Sequence, residues 1–293
     1  MNIIRFNPKI NDGQRRQLLF EGNFVVYGKS TALTKLVEYT NSLVRSVFGD
    51  EPETAQYRMT VKEFIELASP LKSKFTNSNI TKELIKEILN EFQCDPEKTY
   101  FDVPRLRIVT SDNFLTSGVG YAYKAHRDTW YSSPEAQLNW WLPVYDLSPE
   151  NTMSIYPEYW AKTIRNSSAD FNYEEWCLIG RVMATSQTET DSRKHPIPLE
   201  EVSNIGETRY VLTSGEVMLF SAAHLHATAP NTSGKTRFSI DFRTVNLDDL
   251  QEKKSAKNID NAAIGTTLHD FIGMVNYEKM DMDVISRYLG EFV

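Results

Sequence analysis

Residues 215–245 read GEVMLFSAAHLHATAPNTSGKTRFSIDFRTV, and this stretch decides what the chain can be. It opens on an apolar strand pattern at Val217 to Phe220 and passes two histidines, His224 and His226. It then turns through Pro230, Asn231, Ser233 and Gly234 and returns as a second strand. On the returning strand Arg237, Ser239, Asp241 and Arg243 share one face, while Phe238, Ile240 and Phe242 share the other. Antiparallel return carries Arg237 back toward the histidines. A guanidinium and a hydroxyl two residues apart together grip one carboxylate, the arginine through two donors and the serine through one.

About a hundred residues upstream lies YKAHRDTWY, residues 123–131. His126 and Asp128 are two apart, so in an extended segment both side chains leave the same face. One imidazole and one carboxylate so placed need only a second histidine to make a facial three-ligand set. Such a set suits ferrous iron and leaves three positions for a chelating oxoacid and dioxygen. On spacing alone His224 and His226 both qualify as the second histidine.

Around these segments the hydrophobic period is two. Strands are expected over 105–110, 137–145, 153–156, 210–213, 216–221 and 236–245. The first hundred residues read as a mostly helical buttress. Leu33, Leu36, Val37, Leu43, Val44, Val47 and Phe48 recur at helical spacing before Gly49. Thr60 and Glu63 form a capping-box pattern, and a third helix is expected over 80–92. Residues 157–207 are a long insertion with a helix expected over 173–182 and a polar stretch, SQTETDSRKHPIP, whose composition fits an ordered lid or a disordered loop. Helices are expected over 267–275 and 283–292. The reading is one domain over 1–293, with the strand-rich core at 101–250 and closing helices in 251–293.

Composition narrows the function. Charged residues are 24% and hydrophobic ones 41%, and no run reaches the roughly 20 apolar residues of a membrane helix. A net charge of −7 without a dense Lys/Arg run argues against nucleic acid. The amino-terminal MNIIRFNPKI lacks a signal-peptide pattern, and Cys94 and Cys177 lie in no paired-cysteine motif. A reducing cytoplasm and a small-molecule partner are the expectations, with no nucleic acid and no membrane.

The order His-x-Asp, a distant His, then Arg eleven residues later within Arg-x-Ser resembles the Fe(II)/2-oxoglutarate-dependent oxygenases, in particular the phytanoyl-CoA dioxygenase-like branch. The resemblance runs from about Tyr121 to Val245. His126 and Asp128 match that family's first two ligands, and HATAPN, from His226 to Asn231, resembles its His-Gly-Ser-x-x-Asn pattern, which favours His226 over His224. Arg237-Phe238-Ser239 matches the oxoglutarate-carboxylate motif. WLPVYDLSPENTMSIYPEYW resembles the segment that follows the first ligands, but ends in Pro157-Glu158-Tyr159-Trp160 where the family has Pro-Gly-Ser-His.

The resemblance implies a double-stranded β-helix, a cupin-like jelly roll with helices against one sheet. It further implies Fe(II) on His126, Asp128 and His226, and 2-oxoglutarate held by Arg237 and Ser239. With O2 as co-reactant, an unactivated C–H bond of a small polar metabolite would be hydroxylated, releasing succinate and CO2. Gln137 and Asn139, of matching parity on the next strand, are candidate donors to oxoglutarate. Trp130, Tyr123, Arg243 and Arg127 are candidates for the substrate pocket, the arginines raising an anionic substrate group. His195 and His269 read as structural or exposed. Two other classes share the barrel: a cupin-like sugar isomerase, epimerase or metal-binding module, and a silent pseudo-oxygenase. Arg-x-Ser after the distal histidine argues against the first, and the intact ligand set against the second.

Overall fold

The computed structural model describes residues 3–187 and 190–290. β1 (Ile4–Phe6), α1 (Asp12–Phe20), β2 (Phe24–Tyr27), α2 (Thr31–Phe48), α3 (Val61–Asn77), α4 (Asn79–Glu91) and β3 (Thr99–Phe101) precede β4 (Arg105–Val109), β5 (Leu138–Pro143) and β6 (Met153–Ile155). After the insertion, which holds α5 (Tyr173–Glu175), come β7 (Thr208–Arg209), β8 (Val217–Ser221), β9 (His226–Thr228) and β10 (Arg237–Asn246). α6 (Leu247–Gln251), β11 (Ile272–Gly273) and α7 (Met282–Leu289) follow.

The strand order identifies the architecture. β4, β10, β5 and β8 pair antiparallel in that order in the large sheet. The opposing sheet runs β7–β6–β9, and the His126 segment adds to its edge through an antiparallel bridge to His226. The chain thus crosses from sheet to sheet at each step from β4 to β10 except between β6 and β7, which is the double-stranded β-helix, or jelly roll. β2 and β1 extend the large sheet beyond β8, and β3 and β11 extend it beyond β10.

One face of the large sheet is apolar and the other is not. Leu106 and Ile108 of β4, Trp140 and Leu142 of β5, and Phe238, Ile240 and Phe242 of β10 form one buried core with Leu33, Leu36 and Val44 of α2, Phe64 and Phe75 of α3, and Ile88 of α4. Each such side chain contributes on the order of 1.5–3 kcal/mol by burial. Register is therefore fixed, because a one-residue slip of β10 would put Arg237, Ser239, Asp241 and Arg243 into that core. These four face the barrel interior instead.

The expected helices of the buttress form: Ser30 caps α2, Gly49 ends it at φ +82°, and the Thr60–Glu63 capping box opens α3. Other expectations need correction. Residues 210–213 are not a strand. β7 lies two residues earlier, Tyr210 packs on Phe24, and the Leu212 carbonyl accepts from Leu147 N–H. Residues 267–275 form a 3-10 turn, Thr267–Asp270, and then β11, because Ile272 pairs with Phe101 of β3 and the helical spacing of its apolar residues is spent on that contact. Residues 173–182 are not one α-helix: α5 gives way to a π-turn, Trp176–Gly180, and a 3-10 turn, Val182–Ser186. The expected continuation of the last helix to Phe292 lies outside the described residues, as do Thr188 and Glu189 of the polar stretch. The rest of that stretch is packed, with Asp191, Arg193 and His195 side chains only 5%, 6% and 3% exposed. Among the described residues no helix is long and apolar enough to cross a membrane.

Candidate metal centre

Strand pairing brings the ligand candidates together. His126 and His226 exchange backbone N–H···O bonds of 2.9 Å in both directions, and Asp128 N–H donates to the Ala222 carbonyl at 3.0 Å. His126 Nε2 lies 3.5 Å and His226 Nε2 3.7 Å from Asp128 Oδ1. One ligand atom from each of the three residues falls within 4.8 Å of the others, and all three residues are buried.

Their surroundings set the donor character. His126 Nδ1 faces the Lys124 carbonyl at 2.7 Å, and His226 Nδ1 faces the His224 carbonyl at 3.0 Å. A carbonyl only accepts, so each Nδ1 carries the hydrogen and each Nε2 presents its lone pair to the centre. Asp128 Oδ2 accepts from Asn139 Nδ2 at 2.7 Å and from Gln137 Nε2 at 3.4 Å, and Gln137 Nε2 also reaches Asn139 Oδ1 at 2.9 Å. Oδ1 is left facing the imidazoles. Burial opposes ionisation of Asp128, but its contacts with His126 and His226 and the hydrogen bond from Asn139 outweigh it and hold the carboxyl at about 2. Burial, then repulsion from His126, pushes His226 down to about 4. Two imidazole Nε2 atoms and one carboxylate oxygen are the donor set of an open ferrous site.

His224, the other histidine of the strand end, is elsewhere. Its Nε2 faces the Gly22 carbonyl at 3.0 Å, and its ring packs against Phe24 and Trp160 at centroid distances of 4.2 and 4.4 Å. Here the unusual PEYW segment finds its use. Trp160 roofs His224 and lies so close to Gly22 that a Cβ there would meet its ring at 2.5 Å, while Tyr159 Oη accepts from Ser203 N–H at 2.9 Å.

Arg237 opens β10 from a buried position over the Trp141 ring. Its Nη1 donates to the carbonyls of Thr152 at 2.7 Å and Asn151 at 3.0 Å. Its Nε and the Ser239 hydroxyl are buried without a hydrogen-bond partner among the described residues. Burial, then the charge of Arg107, lowers Arg237 to about 10. A buried guanidinium fixed by two carbonyls, with donors to spare, is built to receive an anion.

These groups share one cavity that opens to solvent. Its wall includes the three ligand candidates, Arg237, Gln137, Asn139, Tyr123 and Arg243. The amide nitrogens of Gln137 and Asn139 both donate to Asp128, and that of Gln137 also donates to the Asn139 amide oxygen, which positions the carboxylate. Two substrate candidates require correction. Arg127 points away between His126 and Asp128, pairing with Asp260 at 3.0 Å and donating to the Ala223 and Tyr159 carbonyls, as strand parity dictates. Trp130 is fully buried against Tyr159, Ile164 and Leu225, with Nε1 donating to Asp260 at 2.7 Å; the 3-10 turn Asp128–Tyr131 breaks the alternation that would have turned it inward.

Several wall residues escaped sequence reasoning. Arg105 and Arg107 of β4 point inward, and the alternation in RLRIV carried that signal, since Leu106 and Ile108 belong to the opposite, core face. Lys72 of α3 also lines the cavity, with no pattern to announce it. The insertion supplies Phe171, Tyr173 and Trp176 to the wall. His195 stacks on Tyr121 at 3.8 Å, and its Nδ1 lies 3.1 Å from Tyr131 Oη, beside the ring of Tyr123. His269 is half-buried, and its carbonyl accepts from Lys279.

Fold and site together define a jelly-roll barrel that holds a two-histidine, one-carboxylate centre beside a buried arginine. No protein-family model matches the chain, and no curated protein matches it. Among solved structures it is similar to EvdO2 from Micromonospora carbonacea var. aurantiaca complexed with 2-oxoglutarate, at 10% identity over 81% of this chain and 92% of that one, with a TM-score of 0.45. It is also similar to the non-heme monooxygenase ThoJ in its apo form, at 12% identity over 79% and 77%, TM-score 0.43. A third is SnoN, a non-heme alpha-ketoglutarate-dependent epimerase from nogalamycin biosynthesis, at 14% identity over 80% and 84%, TM-score 0.39. Likenesses this remote carry no functional weight, and the chain's own residues have to supply it.

Proposed function

We propose that the chain is an Fe(II)- and 2-oxoglutarate-dependent oxygenase that hydroxylates an unactivated C–H bond of a small polar metabolite. The observation that carries this is the convergence of two imidazole Nε2 atoms and Asp128 Oδ1, in the same cavity as a buried guanidinium with unpartnered donors. The donor set fits ferrous iron, and Arg237 with the orphaned Ser239 hydroxyl fits the far carboxylate of oxoglutarate. Bound there, iron with oxoglutarate and O2 would supply oxidative decarboxylation, yielding succinate, CO2 and an oxidant strong enough for an unactivated C–H bond.

The protein's part is position. The Lys124 and His224 carbonyls fix the imidazole tautomers, and Asn139 and Gln137 hold Asp128 by its outer oxygen. The Thr152 and Asn151 carbonyls hold Arg237. Phe171 and Trp176 of the insertion add apolar rings to the cavity wall. Both cysteines are free, which suits a reducing cytoplasm where iron stays ferrous. The test is slow, substrate-independent formation of succinate from oxoglutarate by the aerobic, iron-loaded protein. Wild type should form it and Asp128→Ala should not; equal rates in both would overturn the assignment.

A further inference from the structure

The cavity wall built by α3, β4 and β10 carries more positive charge than it can satisfy. Among the described residues, Arg105, Arg107 and Arg243 converge on Asp102 and Asp241, and Arg243 Nε also lies 3.8 Å from Asp128. Arg107 takes Asp241 through Nε and Nη2, the latter at 3.1 Å. Arg243 reaches Asp102 at 3.1 Å and Asp241 at 3.3 Å, and Arg105 pairs with Asp102. Lys72, half-buried in the same wall, donates to the Val119 carbonyl and makes no ion pair with any carboxylate among the described residues. Arg181, which also lines the cavity, is matched by Asp270 at 2.5 Å; among the described residues the other four cations of this wall stand against Asp102 and Asp241, Asp128 being a metal ligand.

The cosubstrate does not remove this surplus. A divalent iron and Arg237 balance Asp128 and the two charges of oxoglutarate, so that set is neutral by itself. Two positive charges are left in a half-enclosed wall, where unpaired charge is costly. Lys72 registers the cost. Burial first, then the charge of Arg107, pushes its amine down to about 7, with Asp241 opposing. A missing counter-charge is the simplest physical reading, and an incoming ligand is what remains to supply it.

We propose that the substrate carries an oxyanion, a carboxylate or a monoester phosphate, and that Lys72 with Arg105 and Arg107 forms the subsite that receives it. The word substrate rests on the oxygenase reading; the oxyanion subsite rests on the charge count alone. Lys72 brings a rotatable donor and the arginines bring planar ones, a combination suited to a tetrahedral or trigonal oxyanion. Helix α3 thereby contributes to recognition as well as to the buttress.

The experiment is competition labelling of the full chain loaded with Ni(II) and oxoglutarate, with cyanate as the amine reagent and peptide mass mapping as the readout. Inorganic phosphate and acetate serve as the two oxyanion probes, and the exposed Lys62, with 86% side-chain exposure, is the internal reference. Labelling of Lys72 should slow about ten-fold when a probe reaches about ten times its Kd, while Lys62 is unaffected. The more protective probe names the class of oxyanion. A phosphate- or acetate-induced rise in Tm should persist in Lys72→Arg and vanish in Lys72→Gln. Lys72 labelling indifferent to both probes would overturn the proposal, as would protection by oxoglutarate alone, which would assign these cations to the cosubstrate. Fe(II)–oxoglutarate charge-transfer absorption, recorded anaerobically on the same purified chain loaded with Fe(II) in place of Ni(II), separates the two readings. Its absence with phosphate protection intact would sink the oxygenase reading and leave the oxyanion subsite standing.

Discussion

Replacing Arg237 by lysine isolates the cosubstrate's far carboxylate from every other part of the site. The guanidinium is buried, is held by the Thr152 and Asn151 carbonyls at 2.7 and 3.0 Å, and keeps Nε without a hydrogen-bond partner among the described residues. Lysine retains a positive charge but replaces the planar fork with one flexible ammonium, which cannot satisfy both carbonyls and still present two parallel donors to a carboxylate. Breaking a buried, charge-assisted pair of this kind costs about 2–4 kcal/mol. At 1.4 kcal/mol per factor of ten, the oxoglutarate Kd should rise by about 30-fold to about 1000-fold. Iron affinity should hardly change, because no bond from Arg237 reaches His126, Asp128 or His226. The assay is anaerobic titration of the Fe(II)-loaded protein with oxoglutarate, followed by charge-transfer absorption, with Fe(II) affinity measured separately. An oxoglutarate Kd within about three-fold of wild type, well below the expected loss, would remove Arg237 from the site.

Three further outcomes follow from the same geometry. His226→Ala should abolish iron binding, whereas His224→Ala should retain it and instead lose about 2–4 kcal/mol of stability by emptying the space between Phe24 and Trp160, as read by denaturant unfolding. Asn139→Leu removes the 2.7 Å bond to Asp128 Oδ2 and should weaken Fe(II) affinity about 10- to 100-fold with the fold retained by circular dichroism. For Lys72, a folded-state value near 7, below the ordinary lysine value, means that the unfolded chain binds the proton more readily, so this residue's penalty is full at low pH and fades as pH rises through about 7 to 10. Lys72→Met should accordingly stabilise the metal-free protein by about 1–2 kcal/mol at about pH 6, a figure discounted for partial exposure, and by much less above about pH 10, as read from Tm.

Local chemistry decided which parts of this arrangement were legible in the sequence. Strand periodicity exposed β10 because its two faces differ sharply, Phe238, Ile240 and Phe242 against Arg237, Ser239 and Asp241. Helix α3 was legible because its capping box is a local motif. The capping box of α1, Asn11 with Gln14, and the FVVY run of β2 are equally local and were overlooked. The insertion was opaque for a different reason. The packing of Asp191, Arg193 and His195 depends on Tyr121, Tyr131 and Gly118, more than sixty residues away in sequence, and no short-range pattern encodes such contacts. The same holds for the site's charge. Lys72 joins Arg107 only because α3 packs on β4, so the surplus on that wall is a property of the fold. Arg127 and Trp130 failed as pocket residues through backbone geometry, one turned outward by alternation and the other carried into the core by the turn after Asp128.

The most direct test of the central claim is anaerobic metal and cosubstrate binding by the purified wild-type chain. One Fe(II) per chain should bind, and a visible charge-transfer band should appear only when Fe(II) and oxoglutarate are both present; it should be lost in Asp128→Ala and His226→Ala. A wild-type protein that binds Fe(II) and oxoglutarate without the band, or a band that survives loss of Asp128, would contradict the assignment of this centre.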